Sequence, residues 1–110
     1  MKKNVNIVQI AGFLGAKPEF HQFDSGKSMA RASLAFNESY KKDGEQVEKT
    51  NWFTLIFWNE LAEKASQLLD KGTHIIAHGK LSNHTYQDKE GNNRVTTQII
   101  VTRIDVLDQE

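Results

Sequence analysis

The residues in this chain best suited to chemistry are its large rings. Trp52 and Trp58 share a strand parity, and Tyr40 and Tyr86 border two polar, glycine-containing segments. A flat indole or phenol near a strand end or hairpin offers a face on which an unpaired nucleobase can stack. Each such stack is worth about 1–3 kcal/mol and tolerates any base, because every base has a π face. Lys41, Lys42, Lys49, Lys80, Lys89 and Arg94 lie nearby and could follow a phosphate backbone. The same residues also admit a structural role, with both tryptophans in a core or a subunit contact and the lysines solvating hairpin tips.

Other chemistries find less support. The histidines are His21, His74, His78 and His84. His74 and His78 have the spacing of two ligands on a helix, but they flank a strand-like run, where four residues span about 13 Å. One zinc ion cannot take both, so neither a metal site nor a cofactor is expected. Glu60 and Glu63 fall in the first turn of a helix, where acids complement the dipole. Asp43, Glu45 and Glu48 read as solvated turn residues. Gly12-x-x-Gly15 follows a strand without opening a helix, so it is turn geometry rather than a phosphate loop. Nothing resembles a nucleophile elbow. No residue is assigned a catalytic role, and the chain is not expected to be an enzyme.

Composition sets the outer bounds. The 110 residues are 38% hydrophobic and 25% charged, enough for one domain with a modest core. A single domain over 1–110 is expected, with a frayed tail from 107 onward. No apolar run reaches the eighteen or so residues of a membrane span. The first residues lack the pattern of a signal peptide, and the chain has no cysteine, so a cytoplasmic protein is expected. Fourteen basic residues balance fourteen acidic ones, which excludes a strongly basic nucleic-acid binder.

The elements that must position the rings follow from periodicity. Residues 5–14 are rich in β-formers, with Val5 and Ile7 on one parity and Val8 and Ile10 on the other, as in a strand buried on both faces or bent at a bulge. Pro18 and Asp24-Ser25-Gly26 mark a loop. From Ala30 the alternation is clean, with Ala30, Ala32, Leu34 and Phe36 facing one way. Asp43-Gly44 is a hairpin turn. The strand 50–58 then places Trp52, Thr54, Ile56 and Trp58 on one face and Phe53, Leu55 and Phe57 on the other. Phe13, Phe36, Phe53 and Phe57 are expected in the core. Asn59 is a candidate N-cap for a helix carrying Leu61, Ala62, Ala65, Leu68 and Leu69 in one stripe, ended by Lys71-Gly72. A strand over 74–81, a polar tip over 88–93 and a final strand over 95–107 complete the chain. Three strands, a helix and two more strands predict an all-β fold with one helix: a five-stranded antiparallel OB-fold barrel with extended hairpins.

Several segments together carry a family resemblance. Gly12-Phe13-Leu14-Gly15 with Pro18-Glu19, then Gly26 with Ala30 and Ser33-Leu34-Ala35, form its first part. Glu48-Lys49-Thr50-Asn51-Trp52 follows, then Leu61-Ala62-Glu63 with Ala65, Leu68, Lys71 and Gly72, and finally Tyr86-Gln87-Asp88 with Gly91, Arg94 and Thr97. In this order and spacing, the segments make residues 5–107 resemble the bacterial single-stranded DNA-binding protein family. The resemblance implies an OB-fold, usually in a homotetramer, that wraps single-stranded DNA without sequence preference in replication, recombination and repair. The positions that bind in the family match Tyr40, Trp52, Trp58 and Tyr86 here, with Lys41, Lys49, Lys80 and Arg94 as the expected backbone contacts. It also implies a subunit interface through the first strand, at Val5, Ile7 and Val8, and near Phe53.

The chain also departs from the family pattern. Thr54 and Glu60 stand where basic residues are common, and Ser82-Asn83-His84-Thr85 replaces a stretch often rich in Arg and Lys. Each lost phosphate contact flattens the salt dependence of binding, so a stacking-dominated binder is expected. Many relatives continue into a linker and an acidic tip that recruits repair proteins; this chain stops at Glu110, as an excised core or a naturally short phage or plasmid member would. Tail-mediated partners are therefore not expected. The competing reading is an OB-fold assembly subunit of primosomal type, with Trp52 and Trp58 against protein and weak DNA binding. An OB-fold nuclease would need clustered acids that the sequence does not show.

Overall fold

The computed structural model describes residues 3–107; the expected frayed tail falls mainly at 108–110, outside the described residues. Six strands and one helix follow the chain: β1 (Val8–Leu14), β2 (Glu19–Gln22), β3 (Ser28–Lys42), β4 (Glu45–Trp58), α1 (Glu60–Leu68), β5 (His74–Gln87) and β6 (Asn93–Val106). The hairpin between β3 and β4 turns on two residues, Asp43 at φ 53° and Gly44 at φ 81°. Two consecutive positive-φ residues match the twist of the flanking strands, which is why Asp-Gly serves here. The register then runs unbroken from Lys42↔Glu45 back to Met29↔Trp58.

β1, β5, β6, β4 and β3 form a ring, closed where β1 returns to β3 through Phe13↔Ala35 and Leu14↔Leu34. The expectation of an all-antiparallel barrel is corrected at one seam: β4 and β6 run parallel, pairing Thr54↔Gln98 through Ile56↔Ile100. The reason is arithmetic. Antiparallel neighbours alternate in direction, and an odd number of strands cannot alternate all the way around a closed ring. β2 hangs on β3 alone and has all four residues exposed. With no core face, it carried no hydrophobic signal that a sequence reading could detect.

Inside the ring lie Leu14, Leu34, Leu55, Phe57, Ile75, Ala77, Ile99 and Val101. Phe57 is fully buried, which is worth about 1.5–3 kcal/mol relative to an exposed ring. α1 packs against β3, β4 and β2 through Ala62 and Ala65, whose small side chains let the helix approach closely. Its ends differ from expectation. Asn59 is the N-cap residue but makes no side-chain cap; its φ is 54° and its amide is used elsewhere. At the other end Leu69 is extended (φ −105°, ψ 145°) and drops into the core at 1% exposure. The helix therefore stops before Lys71-Gly72, and the Gly72 N–H donates to the Leu14 carbonyl at 2.8 Å.

Two further expectations need correction. Phe13 is not a core residue: it is 42% exposed and stacks on His74 with ring centres 4.2 Å apart. The first strand begins only at Val8, leaving Val5 and Ile7 about four-fifths exposed, at 78% and 81%. Between them the Asn6 side chain donates to the Leu81 carbonyl and accepts from the Leu81 N–H, both at 2.8 Å. Val8 and Phe53 are half-buried against the core.

Candidate nucleic-acid interface

Strand alternation sorts the candidate residues by side. On β4 the side away from the core carries Trp52, Thr54 and Trp58, with Trp52 60% and Trp58 41% exposed. The register sets Ser33 opposite Thr54 and Arg31 opposite Ile56 on β3. Across the parallel seam, Gln98 lies beside Thr54. The β5–β6 register then brings Thr96↔His84 and Arg94↔Tyr86 to the same side. Arg31, Thr54, His84, Tyr86, Thr96 and Gln98 line a groove of about 420 Å³. His84 and Tyr86 stack within it, ring centres 6.1 Å apart and planes 17° off parallel.

Trp52 and Trp58 lie at different places along this face, and each is held by a particular local structure. The Trp52 ring lies over Gly15: a β-carbon there would come within 2.6 Å of the ring. Trp58 ends β4, and the next residue is locked to the start of β3. The Asn59 N–H donates to the Ser28 carbonyl at 2.8 Å, the Ser28 N–H donates to Asn59 Oδ1 at 3.3 Å, and the Ser28 hydroxyl donates to the Asn59 carbonyl at 3.3 Å. Beside Trp58 stands Phe23, with ring centres 6.4 Å apart and planes 26° apart; His21 meets Phe23 edge-on at 4.5 Å.

The expected site residues are therefore not all brought together. Trp52, Trp58, Tyr86, Lys80 and Arg94 share the groove side. Tyr40 does not: it shares parity with Leu34 and Phe36, opposite Val47, on the other side of the β3–β4 ribbon. Lys49 lies on Tyr40's side, across from Glu38, whereas Lys41 lies on the tryptophan side near the tip. Arg94 is held at the β5–β6 tip, its Nε 3.0 Å from Asp88 Oδ2. That hydrogen bond, with backbone N–H donation from Asn92 and Glu90, holds the Asp88 carboxyl below its ordinary value despite an opposing desolvation effect. Arg31, His84, Thr96 and Gln98 are groove residues that the sequence reading did not pick out. For Arg31 the signal was present, since it alternates with Ala30 and Ala32 and so had to face outward beside Thr54.

The remaining titratable cluster lies on a different part of the barrel. His78 Nε2 is 2.9 Å from Asp105 Oδ2, and the Arg103 guanidinium reaches the same oxygen at 3.3 Å. These partners, His78 first, lower the Asp105 carboxyl from its ordinary value. Among the described residues, no group of three or more His, Cys, Asp or Glu side chains is placed to hold a metal ion.

Residues 5–107 match the sequence profile of the Single-strand binding protein family. The chain belongs to that family. A curated single-strand binding relative, the Single-stranded DNA-binding protein 1 of Xylella fastidiosa (strain 9a5c), is 36% identical over 106 residues, covering 94% of this chain and 78% of that protein. A solved chain of Plasmodium falciparum SSB in complex with ssDNA superposes with a TM-score of 0.89 at 23% identity, covering 98% of this chain and 99% of that one. At that identity the likeness establishes the fold: the mixed five-stranded barrel with one helix is the OB-fold architecture of single-strand binding proteins.

Proposed function

We propose that the chain binds single-stranded DNA without sequence preference and without catalysing a reaction. It would sequester unpaired strands in replication, recombination and repair. The observation that supports this reading best is the shared face of Trp52, Trp58 and Tyr86, exposed side chains around a groove that holds one arginine. Bases stack on the rings while Arg31, Lys80 and Arg94 meet the phosphates. Tyr40, Lys41 and Lys49 would contribute from the β3–β4 hairpin, where the strand leaves the barrel. The Xylella relative is named as a single-stranded DNA-binding protein and the Plasmodium protein was solved with ssDNA, which supports the same reading.

Assembly belongs to the same proposal. Val5 and Ile7 are 78% and 81% exposed, and Val8 and Phe53 are only partly buried against the core, which leaves apolar surface for a second copy. A homotetramer paired through these residues buries that surface. Among the described residues no helix is long and apolar enough to cross a membrane, and a cytoplasmic location fits the proposed substrate.

The test is tryptophan fluorescence during titration with oligo-dT at low and high salt. Strong quenching that largely survives high salt is the expected result. Quenching abolished by salt would shift the weight to the cations, and no binding at low salt would overturn the reading.

A further inference from the structure

The end of the tryptophan face at β2 carries two rings, His21 and Phe23, beyond Trp52, Trp58 and Tyr86. Phe23 follows β2, and its N–H donates to the Lys27 carbonyl at 2.8 Å, so the β2–β3 hairpin continues one step beyond Gln22↔Ser28. By alternation, Phe23 then shares a side with His21 and Met29, the side of Trp58. It is 38% exposed despite lying against Trp58, and Lys27, directly across the hairpin, is exposed as well. A solvent-facing phenylalanine in near-parallel contact with an exposed tryptophan, with a cation opposite, has the composition of a nucleotide subsite: a ring for the base and a charge for its phosphate.

The position is fixed from both sides. Lys27 immediately precedes Ser28 and Trp58 immediately precedes Asn59, and those two following residues are joined by the three hydrogen bonds described above. Asn59 holds φ 54° and ψ −122° within this junction, a sparsely populated backbone conformation that persists only where surrounding structure imposes it. The hairpin carrying Phe23 and the strand end carrying Trp58 are therefore tied together at Ser28 and Asn59. A base arriving there meets rings already in place, which reduces the ordering cost of binding.

We infer that Phe23, with Trp58, His21 and Lys27, forms an additional subsite for one base of a single-stranded nucleic acid, extending the bound path past Trp58 onto the β2–β3 hairpin. The inference rests on the proposed single-strand binding. Phe23 stacks on the base directly; its contact with Trp58 keeps the two rings nearly parallel so that they present one continuous surface.

The experiment is fluorescence anisotropy of end-labelled oligo-dT with the full chain and the variants Phe23→Ala, Phe23→Leu, Phe23→Tyr and Trp52→Ala, across a salt series, with thermal melting of each. Loss of one base stack lowers affinity by about 5- to 150-fold, the equivalent of about 1–3 kcal/mol. Phe23→Ala and Phe23→Leu are expected to fall in that range at every salt concentration with the salt slope unchanged, while Phe23→Tyr stays within a few-fold of the parent. Leucine keeps apolar packing against Trp58 but offers no π face. If Phe23→Leu binds like the parent, Phe23 only props Trp58 and the subsite is overturned. Parental affinity in Phe23→Ala overturns it equally. Trp52→Ala separates the two levels: its loss of affinity alongside an unaffected Phe23→Ala removes the subsite alone, whereas no binding by the parent chain removes both.

Discussion

The two long hairpins look alike in sequence, and the structure treats them differently. Each carries a tyrosine, lysines and a polar glycine-containing tip. The β3–β4 hairpin is held by neutral or singly charged side-chain pairs, Thr50 to Asn37 and Asn51 to Glu38, both at 2.8 Å. Its tyrosine lies on the side opposite the tryptophans. The β5–β6 hairpin is organised by one carboxylate. Asp88 accepts backbone N–H bonds from Glu90 at 3.0 Å and Asn92 at 2.9 Å, and takes the Arg94 Nε–H at 3.0 Å. Asp88 thereby holds Arg94 at the tip, while the register places Tyr86, His84 and Arg94 on the groove side. Whether a ring joins a stacking surface thus depends on strand parity more than on nearness to a tip.

The largest effects should come from the shared centre of the two regions. Trp52→Ala and Trp58→Ala should each weaken oligo-dT binding about 5- to 150-fold, as expected for one lost stack, with the oligomeric state unchanged in sedimentation. Dissociation of the assembly without loss of affinity would instead place the tryptophans against protein. Next comes the direct contrast: Tyr86→Ala should fall in the same range and Tyr40→Ala should cost only about two- to threefold, less than one full stack. Equal losses in a paired titration would break the distinction drawn between the hairpins. Gly15→Ala should cost less than Trp52→Ala, because the added methyl displaces the Trp52 ring without removing it. A changed Trp emission spectrum with an unchanged melting temperature would register that shift.

Smaller effects sharpen the electrostatic half of the contrast. Arg31→Gln should reduce the slope of log affinity against log salt by about 0.7, the value for one phosphate contact on a single strand. Lys49→Gln, on the far side of the β3–β4 ribbon, should reduce it less. The smallest effect concerns pH. Asp88 and Asp105 have carboxyls held below their ordinary range in the folded chain. Their stabilisation is therefore present above the unfolded carboxylate range and is lost as pH falls through the lowered folded values. In denaturant melts, Asp88→Asn and Asp105→Asn should be less stable than the parent at pH 7, with the difference disappearing towards pH 2; a difference that persists in acid would contradict the assignment.

Much of this was legible in the sequence where the cause is local. Asp43-Gly44 dictated a two-residue turn, and the alternation put Leu55 and Phe57 on the face opposite Trp52 and Trp58, while leaving open which of those faces the tryptophans' exposure would follow; Ile56, on the tryptophan parity, is buried. The stripe through Ala62 and Ala65 gave the helix, though not its end, because burial of Leu69 won over the capping pattern at Lys71-Gly72. What the sequence could not show depended on partners distant in the chain. β2 has all four residues exposed and so no core face to reveal it, and the parallel seam is imposed by ring closure; the outward side of Phe13, by contrast, follows from its alternation with buried Gly12 and Leu14. The side occupied by Tyr40 was in fact available from its alternation with Leu34 and Phe36, and so was the outward position of Arg31.

The Asn6 side chain closes a strand edge between two bare apolar residues, Val5 and Ile7. An exposed strand edge is a template on which another chain can build, by offering a row of unpaired N–H and C=O groups. At Leu81 on β5, where the main-chain pairing with β1 has already ended at Val8↔Gly79, the carboxamide of Asn6 takes both groups at once. It plugs the edge with a side chain shaped like a peptide bond. At this point of β5 a further strand finds no free main-chain groups to pair with, so the proposed pairing of copies through Val5 and Ile7 would have to rest on side-chain packing.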